Sequence, residues 1–210
     1  MTDAAWYVMI AVFAGVGWMV IRGVRKDSGD VGSPLFQAWT RYAHEHGLEA
    51  IPPGMLLGEN SPMVTGTLDE IPIRVDIQDT RAGDKRALYT RVAATAQSPL
   101  EVHVRVEARS ADLPEGLEAL ATLDAAFDED FVVTANRQND GPRAAVALLG
   151  AEVRDALVTL RGRGGVRLDY ERGEITLSWR GAEADTSMLD AACHAVVALA
   201  RHRPTTGGYR

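Results

Sequence analysis

The residues best suited to chemistry fall into four groups, and each is weighed by spacing. His44, Glu45 and His46 hold the donor types of a zinc site. An H-E-x-x-H motif needs its histidines at i and i+4 to share a helix face. Here they stand at i and i+2, which turns them about 200° apart on a helix of 3.6 residues per turn, so the segment reads as a solvated helix end. His194 and His202 are eight apart and can share a face, but Arg201 and Arg203 beside them oppose a cation. Asp124, Asp128, Glu129 and Asp130 form the densest acidic cluster. Hard cations take such oxygens, yet the regular ligand spacing and central glycine of an EF-hand are absent. The expectation is a solvated acidic turn entering a strand at residue 131.

Arg161-Gly162-Arg163-Gly164-Gly165 offers glycine-rich backbone with two arginines. A phosphate-binding P-loop runs from strand to helix and ends in Lys-Ser or Lys-Thr; this segment runs from helix to strand and has neither. It reads as a helix end and turn, with arginines at the negative pole of the helix dipole. Cys193 lies among Ala192 and Val196, a packing position where a thiol is inert. Ser98 precedes Pro99 in a turn without a G-x-S-x-G elbow, and His103 is an outward strand residue with no partner visible in sequence. The sequence therefore assigns no catalytic, cofactor-binding or metal-ligating residue.

The elements that position these groups follow from periodicity. Ser33-Pro34 caps a helix whose Leu35, Phe36, Trp39, Tyr42 and Ala43 recur at helical spacing, with Gly47 as its stop. Strands are expected over 63–68 and 71–78 around Asp69-Glu70. In the second, Ile71, Ile73, Val75 and Ile77 alternate with Pro72, Arg74, Asp76 and Gln78, so one face is buried and one wet. Strands over 88–96 and 100–108, joined by Gln97-Ser98-Pro99, are expected to pair as a second hairpin, making four consecutive strands a meander. Val102, Val104 and Val106 point one way there; His103, Arg105 and Glu107 point the other. Further on, a helix over 114–122, a strand over 131–135 and a helix over 142–160 broken near Gly150 are expected. A hairpin over 166–170 and 174–179 turns at Glu171-Arg172-Gly173, and a last helix capped by Asp185 or Thr186 runs to about residue 202. The fold class is α+β, an antiparallel sheet with helices packed on one face.

Ahead of this domain, residues 4–21 contain no charge. Eighteen helical residues span roughly 27 Å, close to the hydrocarbon thickness of a bilayer. Trp6, Tyr7 and Trp18 sit at headgroup depth, and the apolar residues favour insertion by roughly 2–4 kcal/mol, reduced by Gly15 and Gly17. No basic n-region or small-residue cleavage site marks a signal peptide. A transmembrane helix over 4–24 is expected, contacting the lipid bilayer. Arg22, Arg25 and Lys26 follow the span, so the positive-inside rule puts the N-terminus outside and the domain in the cytoplasm. The expected organisation is an anchor with basic flank over 1–26, a linker over 27–33, a soluble domain over 34–203 and a flexible tail over 204–210.

Composition bounds the partners. The net charge is −7, and the anchor region contributes +2, which leaves −9 on residues 27–210. That sign opposes nucleic acid, whose binding runs on phosphate neutralisation, and opposes laying the domain flat on an anionic leaflet. One cysteine excludes an intrachain disulfide framework. From Thr65 onward, the run of Gly66-Thr67-Leu68, Ile73, Val75, Thr90-Arg91-Val92, Phe127-Asp128-Glu129-Asp130-Phe131, Val133, Leu148-Leu149, Leu157 and Leu160 resembles uncharacterised membrane-anchored bacterial proteins of unknown function. The resemblance covers about the last two-thirds of the chain, and because that group has no assigned activity it supplies no catalytic residues to carry over. The expectation is a single-pass, membrane-tethered cytoplasmic domain that binds a protein or small ligand without catalysis. The competing expectation is a cation-dependent hydrolase using the Asp124–Asp130 cluster or His103.

Overall fold

The computed structural model describes residues 33–55, 61–82, 85–109, 119–136 and 141–203. The expected anchor over 4–24, most of the linker and the tail over 204–210 lie outside the described residues. Among the described residues, no helix is long and apolar enough to cross a membrane.

The chain is α+β, with nine antiparallel strands in one sheet and five helices among the described residues. Helix α1 (Pro34–Glu45) begins at Ser33, whose hydroxyl accepts from the Phe36 amide at 3.2 Å, and buries Phe36, Trp39 and Tyr42. Strands β1 (Glu49–Ile51), β2 (Met63–Leu68), β3 (Ile71–Ala82) and β4 (Lys85–Thr95) follow. Next come β5 (His103–Ala108), β6 (Ala119–Leu120), α2 (Ala125–Asp130) and β7 (Phe131–Ala135). The chain closes with α3 (Gly141–Leu148), α4 (Ala151–Leu160), β8 (Arg167–Glu171), β9 (Glu174–Arg180) and α5 (Thr186–Arg201). The break at Gly150 and the Asp185 cap stand where the sequence puts them.

Spatial order in the sheet is β1-β2-β3-β4-β9-β8-β5-β7-β6. This corrects the expected four-strand meander. The β8–β9 hairpin enters between β4 and β5, so β4 pairs with β9 (Val92↔Leu177) and β5 with β8 (Val106↔Leu168). Alternation fixes which face a strand buries but says nothing about its neighbour. The segment expected to turn β4 into β5 is instead held elsewhere: the Ala96 amide donates to Gly173 at 2.7 Å and the Gln97 amide to Ala200 at 2.8 Å. Two further corrections concern the middle of the chain. Within the expected helix over 114–122, Ala119–Leu120 is a strand paired with β7, and residues 114–118 lie outside the described residues. The acidic turn before residue 131 is helix α2, nucleated by the Asp124 side chain, which accepts from the Phe127 amide.

The pleat divides the sheet. Val64, Ile73, Val75, Val92, Val104, Val106, Leu168, Ile175, Leu177 and Trp179 are buried, and they form one core with α1, α3, α4 and α5. Trp39 and Trp179 are fully buried near one hub, Glu183. The Trp39 indole N–H donates to the Glu183 carbonyl at 2.7 Å, and the Trp179 indole donates to its carboxylate at 3.3 Å. The opposite face of the sheet is the polar one.

Candidate functional site

An Arg-x-Asp triplet on a strand puts both side chains on the same face, because successive residues alternate. The chain has this triplet twice on the polar face, Arg74-Val75-Asp76 in β3 and Arg167-Leu168-Asp169 in β8. Register then completes each pair with a third residue. Asp76 lies opposite Arg91 of β4, and Asp169 lies opposite Arg105 of β5. The result is two Arg·Asp·Arg clamps of the same build. Arg74 Nε donates to Asp76 Oδ2 at 2.6 Å, while Arg91 donates through Nε (2.9 Å) and Nη2 (2.6 Å) to the two oxygens. Arg167 Nε donates to Asp169 Oδ2 at 2.5 Å, and Arg105 Nε donates to Oδ1 at 2.7 Å.

Strand β9 runs between the clamps; the residues it places there on this face are Thr176 and Ser178, with Glu174 and Arg180 at its two ends. Thr176 sits between Ala93 and Asp169, and Ser178 sits between Arg91 and Arg167. Small residues flanked by long arginines make a shallow lane. It opens into two grooves of about 400 and 410 Å³ that share Thr176. The first is lined by Gln78, Thr80, Tyr89, Glu107 and Arg167 among others; the second includes Arg74 and Arg91. Adjacent strands are roughly 4.8 Å apart, so the Arg91 and Arg167 strands lie about 10 Å apart across the lane.

The β5–β8 clamp favours the ionised form of Asp169. Burial opposes the charge on Asp169, but hydrogen bonds and positive charge from Arg167 and Arg105 outweigh it and hold this carboxyl below the ordinary range. Burial likewise opposes the Arg167 charge and is outweighed by Asp169 and Glu107. Glu107 also lies 3.7 Å from Arg167, so the β5–β8 clamp sets two arginines against two carboxylates. His103 joins the edge, its Nε2 3.6 Å from Asp169 Oδ1, which supplies the partner the sequence did not reveal.

The sequence's other candidates are dispersed into structural contacts. Asp124 caps α2 and pairs with Arg154 at 3.1 Å. Asp128 accepts from the Thr122 amide and hydroxyl, and Asp130 pairs with Arg161 at 3.2 Å. Arg163 pairs with Glu183, its Nη2 donating to Oε1 at 3.3 Å while its Nε lies 2.9 Å from Oε2. His44 points outward, whereas His46 stacks on Tyr42 with ring centroids 4.4 Å apart. His46 and His194 each approach Asp190 Oδ1 at 3.4 Å, tying α1 to α5. Beneath them Cys193 is fully buried, and burial pushes its thiol up to about 12. Among the described residues, no group of three or more His, Cys, Asp or Glu is placed to hold a metal ion. The polar face itself was the signal sequence reasoning passed over: the repeated Arg-x-Asp triplet is visible in one dimension, but its completion by Arg91 and Arg105 is not.

No protein-family model matches the chain, and no curated protein matches it in sequence. In structure it is similar to the crystal structure of the mycobacterial trehalose monomycolate transport factor A, TtfA. The TM-score is 0.51 at 12% identity, over 78% of this chain and 91% of that one, a likeness of fold.

Proposed function

We propose that this chain is a membrane-tethered cytoplasmic binding module, held by a transmembrane helix over 4–24 with its N-terminus outside, which engages a protein or small ligand without catalysis. The observation that carries this reading is the open polar face. It presents two grooves and two charged clamps on a sheet, while Cys193 is packed in the core and Asp124, Asp128 and Asp130 serve caps, hydrogen bonds and ion pairs. Binding surfaces of this kind need fixed, partly desolvated polar groups, and strands hold them better than loops do. The likeness to a protein named as a transport factor is one of fold, and it transfers no residue roles.

Cross-linking and pull-down from membranes, with the full chain and with a variant lacking residues 1–26, test the reading. A partner captured by the full chain and weakened by the deletion supports it. Hydrolysis of generic ester or phosphate substrates by the purified chain, with no partner recovered, would overturn it. For the topology, protease added to intact cells should spare the domain; cleavage beyond residue 30 would sink the orientation.

A further inference from the structure

We infer that α1 is a releasable strap, which lifts from α5 as a unit ahead of global unfolding and uncovers Cys193. The contact between the two helices packs apolar groups around polar ones that are incompletely paired. Among the described residues, three buried side-chain nitrogen or oxygen atoms have no hydrogen-bond partner, and two of them, Tyr42 Oη and Asp190 Oδ1, belong to this contact. Tyr42 is 1% exposed, and its hydroxyl meets only the Cys193 thiol, a weak partner. His46 Nε2 and His194 Nδ1 each lie 3.4 Å from Asp190 Oδ1 without an aligned hydrogen bond, and His194 Nδ1 engages the Asp190 carbonyl at 2.8 Å instead. Polar atoms of this kind lose their water on docking and regain little, so lifting α1 returns their solvation.

Position in the chain favours release too. Helix α1 is the first described element, and it lies on the sheet through side chains and not through a strand ladder. Phe36, Trp39 and Tyr42 are buried and the Trp39 indole donates to the Glu183 carbonyl, so the docked form is the resting one. Elements near a chain end, with polar groups poorly paired, open at lower free energy than core strands. The strap leads from the anchor expected over 4–24, so release adds up to the length of its 12 residues, about 18 Å, to the tether of the polar face. That consequence rests on the anchor reading; the opening itself does not.

Cys193 is the chain's one cysteine and is fully buried, so its labelling reports the opening. The full chain in neutral detergent micelles is treated with excess iodoacetamide, and labelling is followed by mass beside hydrogen exchange of the 34–45 amides. Labelling should run at least about tenfold faster than the global unfolding equilibrium from urea melts allows, and depend little on urea at low concentration. The 34–45 amides should exchange with the same opening constant while those of β8 and β9 stay protected. Tyr42→Phe, which removes the unpaired hydroxyl and keeps the ring, should slow labelling about threefold to tenfold. Val133→Ala, in β7 toward the far edge of the sheet, should lower global stability and leave labelling unchanged. Labelling that accelerates in step with that loss, or α1 amides that exchange only together with the core strands, would overturn the strap. Faster or unchanged labelling in Tyr42→Phe would overturn it as well. Where Val133→Ala fails to fold, the urea dependence of labelling in the native chain makes the same distinction. Protease protection in intact cells tests the anchor separately, so failure of one reading leaves the other standing.

Discussion

Replacing Arg163 with alanine leaves the Glu183 carboxylate, buried beside Trp179 and the Asp185 amide, without its cation. The expected cost is about 1–3 kcal/mol, because a buried acceptor then loses a partner it cannot replace with water, and urea unfolding would measure it. That makes Arg163 a structural residue, whereas sequence alone showed only an arginine in a glycine-rich turn. Asp169 offers a second test. Its folded carboxyl sits below the ordinary value of 3.8, so its contribution to stability is present above that value and lost as pH falls through the lower folded one. Asp169→Asn should therefore be less stable than the native chain at neutral pH and show a shallower loss on acidification. Parallel acid dependence in the two proteins would refute the role given to the clamp. The outward face of Arg74, Arg105 and Glu107 was readable from alternation, whereas Asp76, expected to be wet, is buried under its two arginines. Their partners were not, since a cross-strand pair exists only once register is set.

At the level of elements, the β2–β3 hairpin turns at Asp69 and Glu70, both at positive φ (50° and 67°). Such two-residue turns match the twist of the strands but strain residues other than glycine and asparagine. Asp69 is retained by Arg201, which donates to its carbonyl and carboxylate. Glu70 has no such tie shown, so Glu70→Gly should stabilise the chain by roughly 0.5–1 kcal/mol, seen as a higher thermal midpoint. The β8–β9 turn already uses a glycine. At Gly173 φ is +88°, and an added Cβ would lie 2.5 Å from the Pro99 side chain. Hairpins of this kind were legible because turn chemistry and period-two alternation coincide within one short window. The β1 and β6 strands were not, being three and two residues long with no alternation to detect. Helix α2 was hidden by its acidic surface, since its one buried residue, Phe127, leaves no stripe.

For the whole molecule, the decisive fact is that residues 167–180 form the centre of the sheet although they come late in the chain. Removing 166–210 should leave two unjoined sheet fragments and no cooperative unfolding transition, whereas a module whose halves fold independently would keep one. Pairing Thr90 with Trp179 also closes a long loop, and such non-local contacts slow folding. Sequence reasoning reached the class of the fold and its one-sided burial. It missed the order of strands because insertion of a late hairpin leaves no local trace. The floor of the lane is β9, the last strand in chain order among the described residues, and its walls stand on β4 and β8, which β9 joins. The lane is therefore complete only once the late hairpin has inserted, and a chain lacking that hairpin has half a lane.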